Sequence, residues 1–470
     1  MSRRCMKFLH RAAGFAAPSL VASLVSVAAP QPQVKDLGTL GGRFTVVSDI
    51  NALGQATGYS ETSDGLIHAF LFTDGAMQDL GTLGGPGSLA NAINDLGQVT
   101  GFALTTEGEA HAFLYAAGSM VDLGPAATSS SGKAINNLGQ VAGQATPLGG
   151  QSYALVYSLG AVIPFGQSLS NSTSEAISAL GQVAGTYQDG SGASHAFLFN
   201  GQSTVDLMPG YSSFVSGTRS INALGSVTGG FQTGATLHGF VYANGRLSDI
   251  ASLGGGYTVP TAISASGSIT GVSAGVDGSQ HAFLYSGGAM RDIGTLGGTF
   301  SVGYALNRLN QITGESMTPT GQLHAFVTQA GTLIDLGQLV EALAPSSVTE
   351  SVGLGINDLG QVIGHYTVST PSDVQMPTQA RSFIATVGAS ALFQDLLTLS
   401  AGVGPGKSLE NKARQASASY SANDTAGSCS ELNAYLNEVA AQDGKKIKHP
   451  TALLLGQKVA AVMSVMDCAQ

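Results

Sequence analysis

Short runs of alternating hydrophobic and polar residues, separated by glycine-containing turns, recur along most of the chain. Residues 68–72 read His-Ala-Phe-Leu-Phe, with aromatic side chains at every second position, and Asp74-Gly75 follows them. Alternation with period two is typical of a half-buried β-strand, and Asp-Gly is a preferred type I′ hairpin turn. Residues 77–80 then supply the returning strand. The pattern therefore predicts β-hairpins with very short turns.

The hairpins belong to a repeat in which three sequence strings keep a constant order. The string Ile-Asn-x-Leu-Gly-Gln-Val-x-Gly, with substitutions in some copies, begins at Ile50, Ile93, Ile135, Ile177, Ile221, Ile263, Leu306 and Ile356. The string His-Ala-Phe-Leu-Tyr, or a variant of it, begins at His68, His111, Tyr153, His195, His238, His281, His324 and Arg381. The string Asp-Leu-Gly-Thr-Leu-Gly-Gly, or its remnant, begins at Asp36, Asp79, Asp122, Pro164, Asp206, Asp249, Asp292 and Asp335.

Each repeat has the size and the turn content of a propeller blade. Four short strands in about 43 residues is the usual content of one blade. The predicted fold class is mainly β, with a β-propeller of about eight four-stranded blades followed by a small C-terminal α-helical domain. Seven blades are the main alternative count, and an open β-solenoid is the competing architecture.

The two ends of the repeat region favour a closed ring. A lone Asp36-Leu37-Gly38 strand precedes the first Ile-Asn string, and the last hairpin has Leu392 where other copies have aspartate. The N-terminal strand can therefore complete the last blade, and closure would remove exposed sheet edges. Asp395-Leu396, three residues after the position where the repeat aspartate is expected, is a competing candidate for the fourth strand.

Six copies place a histidine eleven residues before an aspartate. The pairs are His68 and Asp79, His111 and Asp122, His195 and Asp206, His238 and Asp249, His281 and Asp292, and His324 and Asp335. In a hairpin that sets Phe70 opposite Asp79, His68 lies diagonal to Asp79 and within reach of it. We interpret the pairs as structural hydrogen bonds, because metal ligands must converge on one ion whereas these residues are spread around a ring. We expect no metal ion, no cofactor and no catalytic residue among them.

The repeat glycines stop near residue 395, and a helical pattern replaces them. Residues 407–420 are predicted as one helix. Ser428 and Glu431 form a capping box for a second helix that ends near Gly444, and Pro450 suits the first turn of a third. The predicted domains are a signal peptide at 1–28, the propeller at 29–392 and the helical module at 393–470.

The last two predicted helices form an antiparallel hairpin. That arrangement brings Cys429, at the start of one helix, near Cys468, at the end of the other. A disulfide between them would close a loop of about 40 residues and stabilise the module by about 2–4 kcal/mol.

The N-terminus has the features of an export signal. Arg3, Arg4, Lys7 and Arg11 precede an apolar stretch over residues 12–29, with small residues before a cleavage point after Ala28. A membrane anchor is the alternative interpretation, although Pro18 interrupts the stretch. We expect a secreted or extracellular protein, with the periplasm as the other possible destination, and no membrane span after cleavage.

Composition narrows the class of partner. The chain has a net charge of −10, only 10% charged residues and 65 glycines. A nucleic-acid partner is excluded, since phosphate binding needs clustered Lys and Arg. Tight turns with positive φ explain the glycine content.

The three repeat strings together resemble the bacterial extracellular HAF-repeat family over about residues 36–390. The C-terminal segment is similar to the FIMAH module in Gly406-Lys407-Ser408-Leu409-Glu410-Asn411-Lys412, in Cys429-Ser430-Glu431-Leu432-Asn433-Ala434-Tyr435, in Gly444-Lys445-Lys446 and in Cys468. The resemblance implies an exported repeat protein with an accessory, interaction-mediating module. It supplies no catalytic residues.

We expect a secreted, non-catalytic, monomeric binding or scaffolding protein whose propeller loops engage an extracellular glycan or protein. The loops before the histidine strands vary most between copies and carry the candidate ligand-binding acids Asp64, Glu107, Asp189, Asp277 and Glu315. The longest such loop spans residues 365–380. The alternative is a glycan-active enzyme with its site in the propeller channel, which would need a converging carboxylate pair about 5–10 Å apart.

Overall fold

The computed structural model describes residues 32–124, 128–158, 160–215, 220–329, 331–344, 347–370, 378–387, 389–422, 424–466 and 468. The predicted signal peptide at 1–28 lies outside these residues. Within the described part, eight units of four antiparallel strands form the blades. A single parallel pair joins blade 1 to blade 2, and another joins blade 5 to blade 6. The predicted β-propeller is therefore present, with eight blades and not seven.

One strand precedes the first repeat, and each repeat then supplies its blade in chain order. The lone strand is β1 (Gln33–Asp36). Blades 1 and 2 are β2 (Gly41–Ile50), β3 (Ala56–Thr62), β4 (Ile67–Thr73), β5 (Ala76–Asp79), β6 (Gly84–Ile93), β7 (Val99–Thr105), β8 (Ala110–Ala116) and β9 (Ser119–Asp122). Blades 3 and 4 are β10 (Thr128–Ile135), β11 (Val141–Pro147), β12 (Tyr153–Ser158), β13 (Ala161–Pro164), β14 (Ser170–Ile177), β15 (Val183–Gln188), β16 (Ser194–Phe199) and β17 (Thr204–Asp206).

The second half of the ring repeats the arrangement. Blades 5 and 6 are β18 (Ser213–Val215), β19 (Val227–Thr233), β20 (Thr236–Ala243), β21 (Arg246–Ile250), β22 (Gly254–Ile263), β23 (Ile269–Gly275), β24 (Gln280–Ser286) and β25 (Ala289–Gly294). Blade 7 is β26 (Ser301–Leu306), β27 (Ile312–Met317), β28 (Leu323–Gln329) and β29 (Thr332–Asp335). Blade 8 takes β30 (Val348–Ile356), β31 (Gln361–Ser369) and β32 (Thr378–Thr386) from its own repeat.

The N-terminal strand supplies the fourth strand of blade 8. β1 pairs antiparallel with β32, with Val34 opposite Ala385 and Asp36 opposite Phe383. The hydroxyl of Ser382 also donates to the Thr45 carbonyl in blade 1, over 2.9 Å. The ring is therefore closed and is not an open solenoid. The competing strand at 395–396 lies instead in a helix.

Each hairpin turn and each blade core follow from the repeat. Asp74 and Gly75 both have positive φ, as a type I′ turn requires, and Phe70 pairs with Asp79. The phenylalanine of the histidine string is fully buried at Phe70, Phe113, Phe197, Phe240, Phe283, Phe326 and Phe383. Each such burial contributes about 1.5–3 kcal/mol, so the blades are held by one aromatic layer repeated around the ring.

The described C-terminal residues form a helical module. A short helix, α1 (Gly337–Glu341), belongs to the propeller and connects β29 to β30. The module consists of α2 (Ala389–Ser400), α3 (Ser408–Ser421), α4 (Thr425–Gln442) and α5 (His449–Val465). The sequence predicted α3, α4 and α5 but did not predict α2. The module also begins at residue 389 rather than at 393, since apolar residues that follow the last repeat fold into α2.

The predicted capping box of the second helix is wrong. α4 begins earlier, and its N-cap is Asp424, whose carboxylate accepts from the Gly427 amide at 2.8 Å. Ser428 lies inside the helix, where it is buried and donates to the Ala416 carbonyl of α3 at 2.8 Å. Its hydroxyl therefore joins two helices and does not cap one.

The predicted disulfide joins Cys429 to Cys468, with the Cα atoms 5.6 Å apart. It ties the start of α4 to the end of α5, beside a core that includes Leu432, Tyr435 and Leu455. Among the described residues, no helix has the length and apolar character needed to cross a membrane.

Candidate binding surfaces of the propeller

The first strand of each blade ends at one mouth of the central channel. Because strands alternate in direction, the turns after the first and third strands lie on one face of the propeller, here called the mouth face. The loops after the second strand and the connections between blades lie on the opposite face. The Ile-Asn-x segment of every repeat lines the mouth, which encloses about 390 Å³.

The asparagine of the Ile-Asn string holds its own turn together. The Oδ1 of Asn51 accepts from the backbone amides of Leu53 and Gln55, at 3.0 and 2.9 Å. Its Nδ2 donates to the Gln55 side chain at 2.8 Å. The Asn and the Gln of the repeat string are thus partners, which explains their fixed spacing.

The same Nδ2 also bonds to the next blade. At 2.9–3.1 Å it donates to a backbone carbonyl one repeat further along, and the bonds run from Asn51 to Asn94, Asn94 to Asn136, Asn136 to Ser178, Asn222 to Ser264, Asn307 to Asn357 and Asn357 to Asn51. Buried polar groups are stable only when they are paired, so this series fixes neighbouring blades to one another.

Two carboxylates at the mouth are engaged in similar contacts. Asp95 accepts from the Ala52 amide at 2.9 Å and from the Asn137 side chain at 2.8 Å. Asp358 accepts from the Arg308 amide at 3.0 Å and lies 3.3 Å from its Nε. These acids join the turns of neighbouring blades, so their role in the structure is to hold the blades together.

In six of the eight blades the leucine of the turn lies on the mouth face and is exposed to solvent. Leu180 and Leu224 are 74% and 76% exposed. The exposed residues at this repeat position are Leu53, Leu96, Leu138, Leu180, Leu224 and Leu309, and Ser266 occupies the position in blade 6. We call this set the leucine turns. Exposed apolar side chains that recur on one face of a protein are a candidate contact surface.

Blade 8 shows what covers such a leucine. Leu359, at the same repeat position, is only 5% exposed. It belongs to the apolar cluster that contains Ala389, Leu392 and Phe393 of α2. The helical module therefore docks on the propeller through one member of the repeated leucine position.

The histidine–aspartate pairs lie towards the opposite face. The Nδ1 of each histidine is 2.8–3.5 Å from its aspartate, from His68 and Asp79 at 2.8 Å to His238 and Asp249 at 3.5 Å. Asp79 also accepts from the Gly81 amide at 2.8 Å. The aspartate thus joins the histidine to the turn that leads into the next blade.

One pair has a shifted titration. The hydrogen bond to Asp335 raises the pKa of His324, and Glu341 lies 3.4 Å from its Nε2. Within the described residues, no group of three or more His, Cys, Asp or Glu side chains is arranged to hold a metal ion.

Most of the predicted ligand-binding acids bond to their own turns. Hydrogen bonds led by the Ser191 hydroxyl lower the pKa of Asp189 to about 2. Asp277 accepts from Ser279 at 2.6 Å, and Glu107 accepts from Thr106 at 2.7 Å. Asp64 is exposed and lies 3.3 Å from the Ser63 hydroxyl.

Glu315 is not a loop residue. It lies in β27 and accepts from the Tyr304 hydroxyl at 2.9 Å, and burial raises the pKa of its carboxyl. The sequence analysis placed Glu315 in the loop, but β27 continues to Met317 and the loop starts three residues after Glu315. In the long loop predicted at 365–380, His365 lies in β31 and residues 371–377 lie outside the described part.

Comparison with known proteins yields only distant likenesses. No family model matches the chain, and no curated protein matches it. A puromycin-hydrolyzing peptidase of Mycobacterium tuberculosis has a TM-score of 0.44 at 11% identity, covering 72% of this chain and 61% of that one. The β-propeller domain of the Trilobed protease from Pyrococcus furiosus has a TM-score of 0.40 at 9% identity, covering 62% and 95%.

A puromycin hydrolase has a TM-score of 0.43 at 13% identity, and the match covers 70% of this chain and 60% of that one. The chain thus spans about 60% of the length of these two hydrolases. Scores this low carry no argument about chemistry, and the propeller assignment rests on the strand pairing above.

Proposed function

We propose that the chain is an exported, non-catalytic binding or scaffolding protein that engages an extracellular protein partner through the leucine turns. The observation that carries the proposal is the contrast between Leu224, at 76% exposure, and Leu359, at 5%. One repeat position serves as a docking point in blade 8 and stands open in the other leucine-bearing blades.

The partner chemistry follows from blade 8. Leu359 packs into the apolar core of the helical module, so a partner that presents an apolar helical face fits the remaining leucines. Helices commonly bind in this way through side chains spaced three or four residues apart. In six of the eight blades an asparagine holds the turn and also bonds to the neighbouring blade.

Export is supported by two features. The disulfide between Cys429 and Cys468 is typical of proteins in oxidising compartments. The leader-like pattern at residues 1–28 supplies the route. Membership of the HAF-repeat group and of the FIMAH group is part of the same proposal, since both imply exported accessory proteins.

The geometry of the mouth favours binding over the alternative of a glycan-active enzyme. A catalytic carboxylate pair must present oxygens to one substrate. Asp95 and Asp358 instead use their oxygens to hold Ala52, Asn137 and Arg308 of neighbouring turns. Releasing either acid would loosen the joints between blades.

Site-specific photocrosslinking tests the proposal. A photoreactive amino acid replaces Leu138 on the mouth face, and the matched control replaces Leu148, which is 94% exposed in a loop on the opposite face. The variants are expressed in the native host, and crosslinked products are identified by mass spectrometry. We expect one defined protein partner from position 138 and none from 148. Equal products from both positions, or none from 138, would overturn the proposal.

A further inference from the structure

Blade 3 departs from the repeat at two adjacent residues, and an aromatic residue of blade 4 lies beside them. Blade 3 ends in Pro164-Phe165 where other copies have Asp-Leu, as at Asp79-Leu80. Blade 4 has Tyr187 where blades 1, 6 and 7 have serine, for example Ser60, and where blades 5 and 8 have Phe231 and Tyr366. Blades 1, 6 and 7 act as internal references and show that the blade folds without these aromatic residues.

Pro164, Phe165 and Tyr187 line a cleft between the outer strands β13 and β17. This rim cleft has a volume of about 600 Å³. Its lining residues are Ile163, Pro164, Phe165, Ser168, Leu169, Tyr187, Phe199, Gly201, Gln202, Ser203, Thr204 and Asp206. The volume lies in the range of small-ligand sites, about 300–1,000 Å³.

Aromatic stacking fixes one wall of the rim cleft. The ring of Phe165 stacks on Phe199 with centroids 4.0 Å apart and planes within 3°. It also meets Phe197 edge to face at 5.8 Å. Ile163 extends the apolar wall to the surface, where it is 44% exposed.

Polar groups converge from the other side. The Tyr187 hydroxyl donates to Asp206 Oδ2 at 3.2 Å, and its ring stacks on His195 with centroids 5.2 Å apart. The hairpin turn adds Gln202 and Ser203, which are both exposed. Among the described lining residues there is no lysine or arginine, so the site offers nothing to balance an anionic ligand.

We propose that the rim cleft binds a neutral pyranose ring of an extracellular glycan. The negative face of an aromatic ring attracts the partly positive C–H groups on one side of a sugar. The Gln202 amide and the Ser203 and Thr204 hydroxyls suit the sugar hydroxyls at the ring edge. The volume accommodates one or two rings.

This site extends the proposed binding function to a second ligand. It lies on the outer rim between blades 3 and 4, whereas the leucine turns surround the channel mouth. The two proposals therefore fail independently, because sugar binding here does not require any leucine turn.

Saturation-transfer NMR on the full chain, with methyl glycosides of glucose, mannose, galactose and N-acetylglucosamine as probes, tests the proposal. The double variant Phe165→Leu/Tyr187→Ser installs the residues that other blades use and is expected to fold. The matched control is Val205→Ala, an exposed residue of the same strand β17 that does not line the cleft. A second variant, Gln202→Ala/Thr204→Ala, removes polar contacts at the surface without touching the core.

We expect at least one neutral glycoside to bind the wild type and the Val205→Ala control equally. Both cleft variants should bind it at least about tenfold more weakly, and methyl glucuronide should bind more weakly than methyl glucoside. The proposal is overturned if no neutral glycoside binds at about 10 mM, a concentration that detects even very weak affinity. Unchanged binding in the cleft variants, or preferential binding of the glucuronide, would also overturn it.

Discussion

The side-chain amide of Asn357, in the last blade, donates a 3.0 Å hydrogen bond to the backbone carbonyl of Asn51, in the first. The same bond links blade 1 to blade 2 through Asn51 and Asn94. The asparagine bond that links blades adjacent in sequence therefore also links the first and last blades of the propeller. The backbone pairing of β1 with β32 supplies a second closure.

Replacing Asn357 should weaken the ring. The residue is buried, and Asn357→Ala removes the bond to Asn51 and strands the amides of Leu359 and Gln361, which both bond to its Oδ1 at 3.0 Å. We expect the free energy of unfolding to fall by about 2–4 kcal/mol. Guanidinium denaturation followed by circular dichroism measures the change.

Asn357→Ser is the matched control, because blade 4 uses serine here. The Ser178 hydroxyl still accepts from the Gln182 amide at 3.0 Å. Serine should therefore recover about half of the loss by keeping the turn and losing only the bond between blades. An alanine variant as stable as the wild type would contradict side-chain closure.

Removing β1 should open blade 8. A chain that begins at residue 38 lacks the strand and exposes the edge of β32, while a chain that begins at residue 32 keeps it. We expect the shorter chain to lose about 2–4 kcal/mol of stability and to aggregate more readily, since an unpaired edge is a template for other strands. Calorimetry and light scattering compare the two, and identical melting would refute closure by β1.

The His324–Asp335 pair should make stability depend on pH. Because the pKa of His324 is raised in the folded state, its contribution is complete below the ordinary value of 6.5 and is lost as the pH rises through the folded value. The wild type should therefore exceed His324→Gln in stability by more at pH 6 than at pH 9. Asp335→Asn should move the NMR titration of His324 back towards 6.5, and an unmoved titration would exclude this cause.

The disulfide should stabilise the helical module. Reduction, or Cys429→Ser together with Cys468→Ser, should lower the stability of the module by about 2–4 kcal/mol. Far-ultraviolet dichroism at 222 nm follows the helices selectively. Mass spectrometry of the oxidised protein with a thiol reagent should find neither cysteine labelled, and labelling of both would show that the bond is absent.

The fold could be predicted because the same pattern was repeated eight times. Period-two alternation and Asp74-Gly75 predicted the hairpin register of β4 and β5, and the lone strand at Asp36 predicted the closure. α2 was missed because the residues up to Leu392, which stands at the place of a repeat aspartate, were assigned to the propeller. Capping at Asp424 was missed because Ser428 and Glu431 match the capping-box pattern, whereas Gly427 stands three residues after Asp424.

The candidate surfaces were harder to predict, because exposure depends on tertiary contacts. Leu359 and Leu224 occupy the same position of the repeat string. The helical module packs against Leu359 and leaves Leu224 exposed. The bonds from Asn51 to the next blade also join residues about one repeat apart, which a local pattern does not reveal. In the sequence, the recurrence of Asn and Gln at fixed positions of the repeat was the signal that could have indicated these bonds.

The affinity of the crosslinked partner tests the central claim most directly. It should be measured by titration calorimetry for the wild type, for the triple variant Leu138→Asp/Leu180→Asp/Leu224→Asp and for the control Leu148→Asp. All four leucines are exposed, so stability should stay within about 0.5 kcal/mol of the wild type. The account predicts at least about hundredfold weaker binding for the triple variant and unchanged binding for Leu148→Asp. Equal affinity for the wild type and the triple variant would contradict it.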